Sequence, residues 1–152
     1  MSNCKPTVTP LIPNQYLCPE TDKEKEKLKS LQVNYKSAIG SINYVSSVTC
    51  PDLCFAVSTL SQYLEPPGIQ HWKSFLHVLR YLKGGLEVGL NYPKSRKDIL
   101  ISWSDADRGN CMETRRSIIG FLSTFNGCLV LWKTRKQPSV STSITEAEYK
   151  AL

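Results

Sequence analysis

The chain has 152 residues, a net charge of +6 and a hydrophobic fraction of 41%, enough apolar sequence for one ordinary domain or for parts of two larger ones. It has no apolar run near the ~18 residues of a membrane span, and no charged-then-apolar N-terminus of the secretory type. Its six cysteines are scattered, which favours free thiols over a disulfide framework or a zinc site. We therefore expect an intracellular protein, cytoplasmic or nuclear, with no membrane partner.

The first part of the chain has the pattern of a linker followed by amphipathic helices. Residues 1–33 combine prolines with a mixed-charge run and are predicted to be extended or partly helical. Apolar residues then recur at helical spacing, interrupted by Pro66-Pro67-Gly68 and ended by Gly84-Gly85. The predicted helices cover residues 34–48, 51–64 and 69–83.

The last of these helices carries a basic stripe opposite its apolar residues, formed by Lys73, His77, Arg80 and Lys83. Such a stripe is usually solvated surface, but it can also bind a phosphate backbone. Lys73 and Arg80 are therefore candidate nucleic-acid contacts. The histidines lack a partner at ligand spacing, so a metal site on this helix is not expected.

After Gly85 the apolar residues follow the short alternating runs that are typical of strands. Asn126-Gly127 lies between two such runs, which is the strongest short-range signal for a hairpin. The predicted strands cover residues 88–92, 99–104, 117–125 and 128–133. The sequence thus predicts an α+β fold, in which an N-terminal helical segment precedes an antiparallel β-meander.

Two carboxylates, Asp105 and Asp107, follow the predicted strand 99–104. Alternation along the strand places Ile101, Trp103 and Asp105 on one face. A strand that ends in carboxylates commonly holds a divalent cation, although a short acidic sequence is also an ordinary polar turn.

A second acidic motif lies near the end of the sequence. Ser143 and Glu146 have capping-box spacing, which predicts a helix whose Glu146 side chain bonds back to the Ser143 backbone. Glu148 has no such role and lies on the same side as Ile144 and Leu152, where a buried carboxylate needs a cationic partner. We expect Asp105 and Glu148 to converge on one cation; a Glu148 exposed on a frayed turn is the alternative.

Basic residues accompany these carboxylates in the second part of the chain. The candidate nucleic-acid contacts there are Arg115, Arg116, Lys133, Arg135 and Lys136. A basic surface beside an acidic pair suits a polyanionic substrate, because cations hold phosphates while carboxylates hold metal. A solvated basic face without a partner is the alternative.

Several phrases resemble, in order and spacing, the C-terminal part of the polyprotein of Ty1/copia-type LTR retrotransposons. They are YKSAIGSINY (35–44), CPDLCFAV (50–57), HWKSFLHVLRYLKG (71–84), SDAD (104–107), TRRSIIG (114–120), WKTRKQ (132–137) and TEAEYKAL (145–152). One departure follows SDAD, where Arg108-Gly109-Asn110 stands in place of the Trp-Ala-Gly that is usual in the family.

The resemblance implies a region that follows the reverse transcriptase palm and leads into a ribonuclease H domain. Residues 34–92 would be a helical thumb or connection region, and residues 93–152 the N-terminal part of an incomplete ribonuclease H-like fold. Asp105 matches the first metal-binding aspartate and Glu148 the glutamate of the first helix, so both are implied catalytic residues and ligands of a two-Mg²⁺ site. The implied partners are an RNA–DNA hybrid and the rest of the reverse transcriptase polyprotein.

The family places its next catalytic aspartate on a later strand, for which this sequence offers no counterpart. We therefore expect a polyprotein fragment that lacks at least one catalytic carboxylate and is inactive as an isolated chain. Two alternatives stay open. One is a non-catalytic basic module, derived from the element, that binds nucleic acid or protein. The other is a decayed reading frame without function.

Overall fold

The computed structural model describes residues 3–94, 99–109, 111 and 114–151. The chain divides into two compact units, a helical unit (Met1–Gly89) and a sheet unit (Leu90–Leu152). Within the described residues, no helix has the length and apolar character that crossing a membrane requires.

The structure of the helical unit confirms the three helices that the apolar spacing predicts, and the mixed-charge run is also helical, in agreement with the partly helical segment expected within residues 1–33. Its helices are α1 (Asp22–Ser30), α2 (Tyr35–Val48), α3 (Cys54–Leu60) and α4 (Ile69–Gly84), with short 3₁₀ turns at Pro51–Leu53 and Ser61–Tyr63 on either side of α3. The Asn34 side chain accepts a hydrogen bond from the Ser37 N–H and begins α2. Pro51, which has no N–H to satisfy, opens the turn that leads into α3.

The core of this unit is built from the apolar stripes of α2, α3 and α4. Its buried members are Tyr35, Ile39, Ile42, Leu53, Ala56, Val57, Leu60, Phe75 and Val78. The Tyr35 hydroxyl donates to the Leu60 carbonyl at 3.0 Å, which satisfies the polar end of a buried ring. Burial raises the pKa of Tyr35, so this ring stays neutral and packs as a core residue.

The segment before α1 is fixed to the helical unit by a buried carboxylate. Glu20 accepts hydrogen bonds from the backbone N–H groups of Gln70 (2.6 Å) and His71 (3.3 Å), and so caps the start of α4. Gly68 leaves room for this contact, since a Cβ there would lie 2.7 Å from the Glu20 Cβ. His71 is fully buried and stacks on Tyr63 at 4.2 Å. Burial lowers the pKa of His71, against the opposing attraction of the Glu20 carboxylate.

The sheet unit contains three strands and one short helix. They are β1 (Leu100–Asp107), β2 (Ile118–Phe125), β3 (Cys128–Lys136) and α5 (Ile144–Tyr149). The strands are antiparallel in the order β1-β2-β3. Asn126 and Gly127 both have positive φ, 54° and 78°, as the tight turn of a β2–β3 hairpin requires. The α+β fold, with helices before an antiparallel sheet, is therefore confirmed at the level of its elements.

One predicted strand is wrong. Residues 88–92, all of which the structure describes, form no strand. Val88 is exposed, and its N–H bonds locally to the Gly85 carbonyl at 2.9 Å. A short alternating run needs a neighbouring strand to complete its hydrogen bonds. This run has none among the described residues.

Candidate functional site

Asp105 and Asp107 lie at the C-terminal end of β1, which is an edge strand of the described sheet. Both side chains are exposed. Ala106, between them, is buried and belongs to the small apolar cluster beneath α5. Since side chains alternate along a strand, Asp105 and Asp107 lie on the face opposite the one that Ala106 contributes to this cluster.

The predicted cap of the last helix is confirmed in one bond and wrong in the other. The Ser143 hydroxyl accepts from the Glu146 N–H at 3.0 Å, as expected. The Glu146 carboxylate, however, accepts from the N–H and hydroxyl of Thr142, both at 2.7 Å, and pairs with Lys150 at 2.6 Å. Thr142 offers two donors where the Ser143 backbone offers one. The bonds from Lys150 and Thr142 lower the pKa of Glu146 to about 2, so it is ionised at neutral pH.

Two alanines hold α5 against the sheet. Ala147 and Ala151 pack on Ala106 of β1 and Ile119 of β2. Small side chains allow the helix backbone to come close to the strands, and the larger Ile144 is left 64% exposed. The expectation that Ile144 marks the buried side of this helix is therefore wrong; Leu152 lies outside the described residues.

Gln137, directly after β3, fixes the position of α5 and was missed by sequence reasoning. It is 1% exposed. Its Nε2 donates to the Ala147 carbonyl at 2.8 Å, and its Oε1 accepts from the Ser141 hydroxyl at 2.8 Å. Its backbone N–H donates to the Ser117 carbonyl at 2.8 Å. The one available signal was its place at the end of the phrase WKTRKQ.

The structure brings the element that bears Glu148 onto the strand that bears Asp105. Glu148 is half-buried on α5, next to Ala147, whereas Asp105 lies on the far face of β1. A shared cation requires Asp105 to turn its carboxylate round the sheet edge, so the convergence of the two carboxylates stays a prediction.

Carboxylate oxygens are the ligands that Mg²⁺ prefers, so the donor type of this pair fits that ion. The number does not fit a two-metal centre. Among the described residues, no group of three or more His, Cys, Asp or Glu side chains could hold a metal ion.

The predicted basic contacts of the sheet unit lie on different faces. Lys133 and Arg135 are exposed and are paired in register with Phe121 and Ile119, on the side that α5 covers in part. Lys136 lies on the other side, where its ammonium is 3.4 Å from the Cys111 thiol. Arg115 and Arg116 precede β2.

The Cys111 thiol also accepts a hydrogen bond from the Thr114 hydroxyl at 3.0 Å. Burial raises the pKa of Cys111, but the bonds from Thr114 and Lys136 outweigh it and the net shift is downward. Lys136 is therefore engaged with Cys111, and Lys133 and Arg135 are the exposed cations of β3.

The basic stripe of α4 is largely engaged by the N-terminal segment. Arg80 Nε donates to the Lys5 carbonyl at 2.7 Å, and Lys83 Nζ to the Cys4 carbonyl at 2.9 Å. His77 Nε2 lies 3.0 Å from the Thr9 carbonyl. Lys73 is exposed. The role of Lys73 and Arg80 in binding nucleic acid stays a prediction, and for Arg80 it would compete with the bond to this segment.

The known proteins to which the chain is similar include transposon polyproteins and a protein described as a secreted effector. The chain is 39% identical, over 99% of its length, to the retrovirus-related Pol polyprotein from transposon TNT 1-94 of Nicotiana tabacum, of which it covers 11%. It is 34% identical over its whole length to the Pol polyprotein from transposon RE2 of Arabidopsis thaliana, of which it covers 10%. It is 43% identical, over 79% of its length, to the secreted RxLR effector protein 161 of Plasmopara viticola, of which it covers 84%.

No family model matches the chain. No solved structure matches it either. The chain spans about a tenth of the length of the transposon polyproteins that it matches. The identity extends over nearly the whole chain and includes both units of the structure. The chain therefore belongs to the retrovirus-related Pol polyproteins of Ty1/copia-type transposons and corresponds to a part of such a polyprotein.

Proposed function

We propose that the sheet unit is part of a ribonuclease H-type domain, whose parent polyprotein hydrolyses the RNA strand of RNA–DNA hybrids. One observation carries the proposal: the helix that bears Glu148 packs directly on the strand that bears Asp105, through Ala147 and Ala106. Asp105 and Glu148 are the proposed ligands of a magnesium ion. The residues proposed to contact the hybrid are first Lys133 and Arg135. Arg115, Arg116 and Lys136 are further candidates, although Lys136 lies on the other side of the sheet.

The proposal distinguishes a residue that binds the cation from residues that hold the helix in place. Asp105, exposed on the edge strand, offers its carboxylate oxygens to a cation. Gln137 and Ala147 hold α5, and with it Glu148, at a fixed place on the sheet. Magnesium, when bound, would activate water and stabilise the leaving oxygen.

Two carboxylates are fewer than such a site needs. We therefore propose that the chain alone binds the hybrid without cleaving it, and that the rest of the polyprotein completes the site.

A second candidate is a non-catalytic basic module that binds nucleic acid or protein. It is favoured by the exposure of Lys133 and Arg135, together with the lack of a three-carboxylate group among the described residues. The first candidate predicts nucleic-acid binding through these cations, and so does the second where its partner is a nucleic acid. The two candidates differ in whether Asp105 and Glu148 hold a metal ion.

The purified chain, mixed with a labelled RNA–DNA hybrid and Mg²⁺, is expected to bind and not to cleave. Log affinity should fall with log salt concentration with a slope of about −0.7 to −0.9 for each neutralised phosphate. A Lys133→Gln, Arg135→Gln double variant should bind more weakly with a shallower slope. If the chain does not bind the hybrid even at about 50 mM salt, the proposed nucleic-acid contact is wrong.

The Asp105→Asn variant serves as the control for cleavage. It is expected to bind the hybrid at least as well as the unchanged chain, since it removes one negative charge. If the unchanged chain cleaves the hybrid robustly and this variant does not, the site is already complete. That result would contradict the proposal that the rest of the polyprotein completes the site.

A further inference from the structure

The start of α4 carries a cluster of polar side chains that is buried inside the helical unit. The side chains of His71 and Glu20 are 0% and 4% exposed, and Nδ1 of His71 lies 3.6 Å from Oε1 of Glu20. The Tyr63 ring stacks on His71 with centroids 4.2 Å apart, and the Tyr63 hydroxyl donates to the Leu17 carbonyl at 2.6 Å. Leu17 and Glu20 both belong to the segment before α1, so the cluster joins this segment to α4.

The hydrogen bonds of this cluster fix the protonation state of His71. The Gly68 N–H donates to Nδ1 of His71 at 3.0 Å, so the neutral ring carries its proton on Nε2. Oε1 of Glu20 already accepts from the N–H groups of Gln70 and His71, at 2.6 and 3.3 Å. A second proton on the ring would therefore have to lie on Nδ1, where it opposes the Gly68 N–H.

The surroundings of His71 disfavour a charged ring. Burial lowers the pKa of His71, and the attraction of Glu20, the Cys18 backbone and Glu24 opposes this shift without cancelling it. His71 lies in the first turn of α4, where the positive end of the helix dipole also disfavours a cation. Within the described residues, Glu20 Oε2, His71 Nε2 and Ser74 Oγ are buried without a hydrogen-bond partner. The cluster therefore contains uncompensated polar atoms already, and protonation of His71 would remove a further hydrogen bond from it.

We propose that this cluster is a pH-sensitive latch, which holds the segment before α1 on α4 while His71 is neutral and releases it when His71 is protonated. Protonation converts Nδ1 from an acceptor into a donor, so the bond from Gly68 is lost. The new N–H attracts the Glu20 carboxylate and draws it away from the backbone N–H groups of the first turn. The latch lies wholly in the helical unit, so its action does not require the proposed function of the sheet unit.

The direction of the pH dependence follows from the closed and open states of the latch. The open state exposes the His71 ring, which then has the ordinary pKa of about 6.5, whereas the closed state holds its pKa lower. Opening therefore takes up a proton as the pH falls below about 6.5, and the opening constant rises by up to tenfold per pH unit. Above that pH the ring is neutral in both states, and the latch stays closed.

Amide hydrogen exchange at Gln70, whose N–H donates to Glu20, measures this opening in the full chain. From about pH 7.5 to about pH 5.5, and after correction for the pH dependence of exchange itself, the opening constant is expected to rise up to tenfold. His71→Gln should change by less than about twofold over this range, because its amide oxygen can accept from Gly68 and does not titrate. His77→Gln is the matched control on the same helix and should keep the rise of the unchanged chain.

The titration of the His71 ring in the unchanged chain is a second measurement, which does not depend on a variant that folds. The ring resonances should titrate below about pH 6.5, and the resonances of Leu17, Cys18 and Glu20 should change in the same step. If His71 titrates at or above this pH, or titrates while the resonances of the segment stay unchanged, the cluster is not a latch. The proposal is also wrong if His71→Gln keeps the full pH dependence or if His77→Gln removes it.

Discussion

Replacing Gln137 with alanine is expected to detach α5 from the sheet, at a cost of about 2–4 kcal/mol in the free energy of unfolding of the sheet unit. The Gln137 side chain donates to the Ala147 carbonyl and accepts from the Ser141 hydroxyl, both at 2.8 Å. The substitution leaves both groups buried without this partner, and each such group costs about 1–3 kcal/mol. Denaturant unfolding and amide exchange across α5 measure the effect.

Thr145→Ala is the matched control for this substitution. Thr145 is exposed on the same helix, so its replacement should change the free energy of unfolding by less than about 0.5 kcal/mol. A Gln137→Ala variant as stable as this control, with α5 amides still protected, would show that Gln137 does not position the helix.

Leu60→Ala is expected to destabilise the helical unit by about 2–5 kcal/mol, the range for a buried leucine that leaves a cavity. Leu60 is completely buried between α2 and α4, and its carbonyl accepts the Tyr35 hydroxyl. The variant should retain that bond and lose only side-chain packing. Amide hydrogen exchange within α2 and α4 measures the loss in the free energy of unfolding of this unit.

Leu86→Ala provides the comparison, because Leu86 is 78% exposed and lies in the same unit. The free energy of unfolding of this variant should be within about 0.5 kcal/mol of that of the unchanged chain. Equal losses in the two variants would mean that the α2–α4 core is not packed as described.

Local signals in the sequence predicted most of the elements. Helical spacing identified α2 and α4 nearly to the residue, and Asn126-Gly127 identified the β2–β3 hairpin. The prediction of a strand at 88–92 was wrong for a non-local reason. A run of this length becomes a strand only where a second strand completes its hydrogen bonds.

The site was harder to predict because its contacts join distant parts of the chain. Capping-box spacing located Ser143. It did not indicate that the Glu146 carboxylate would accept from Thr142 and pair with Lys150 instead of bonding to the Ser143 backbone. No local sequence pattern distinguishes Gln137. Its contact with the Ala147 carbonyl exists only because α5 packs on the sheet. The basic stripe of α4 could not be distinguished from a free surface, because the carbonyls that engage Arg80 and Lys83 lie more than 70 residues away in the sequence.

We propose that Asp105 and Glu148 hold one cation. Titration of the chain with Mn²⁺, which shares the oxygen-ligand preference of Mg²⁺ and broadens nearby amide resonances, tests it most directly. We expect the resonances of Asp105 and Glu148 to broaden together at the same Mn²⁺ concentration, and Asp105→Asn to remove both effects. Broadening at Glu148 that persists unchanged in Asp105→Asn, or broadening at one residue alone, would show that the two carboxylates do not share a site.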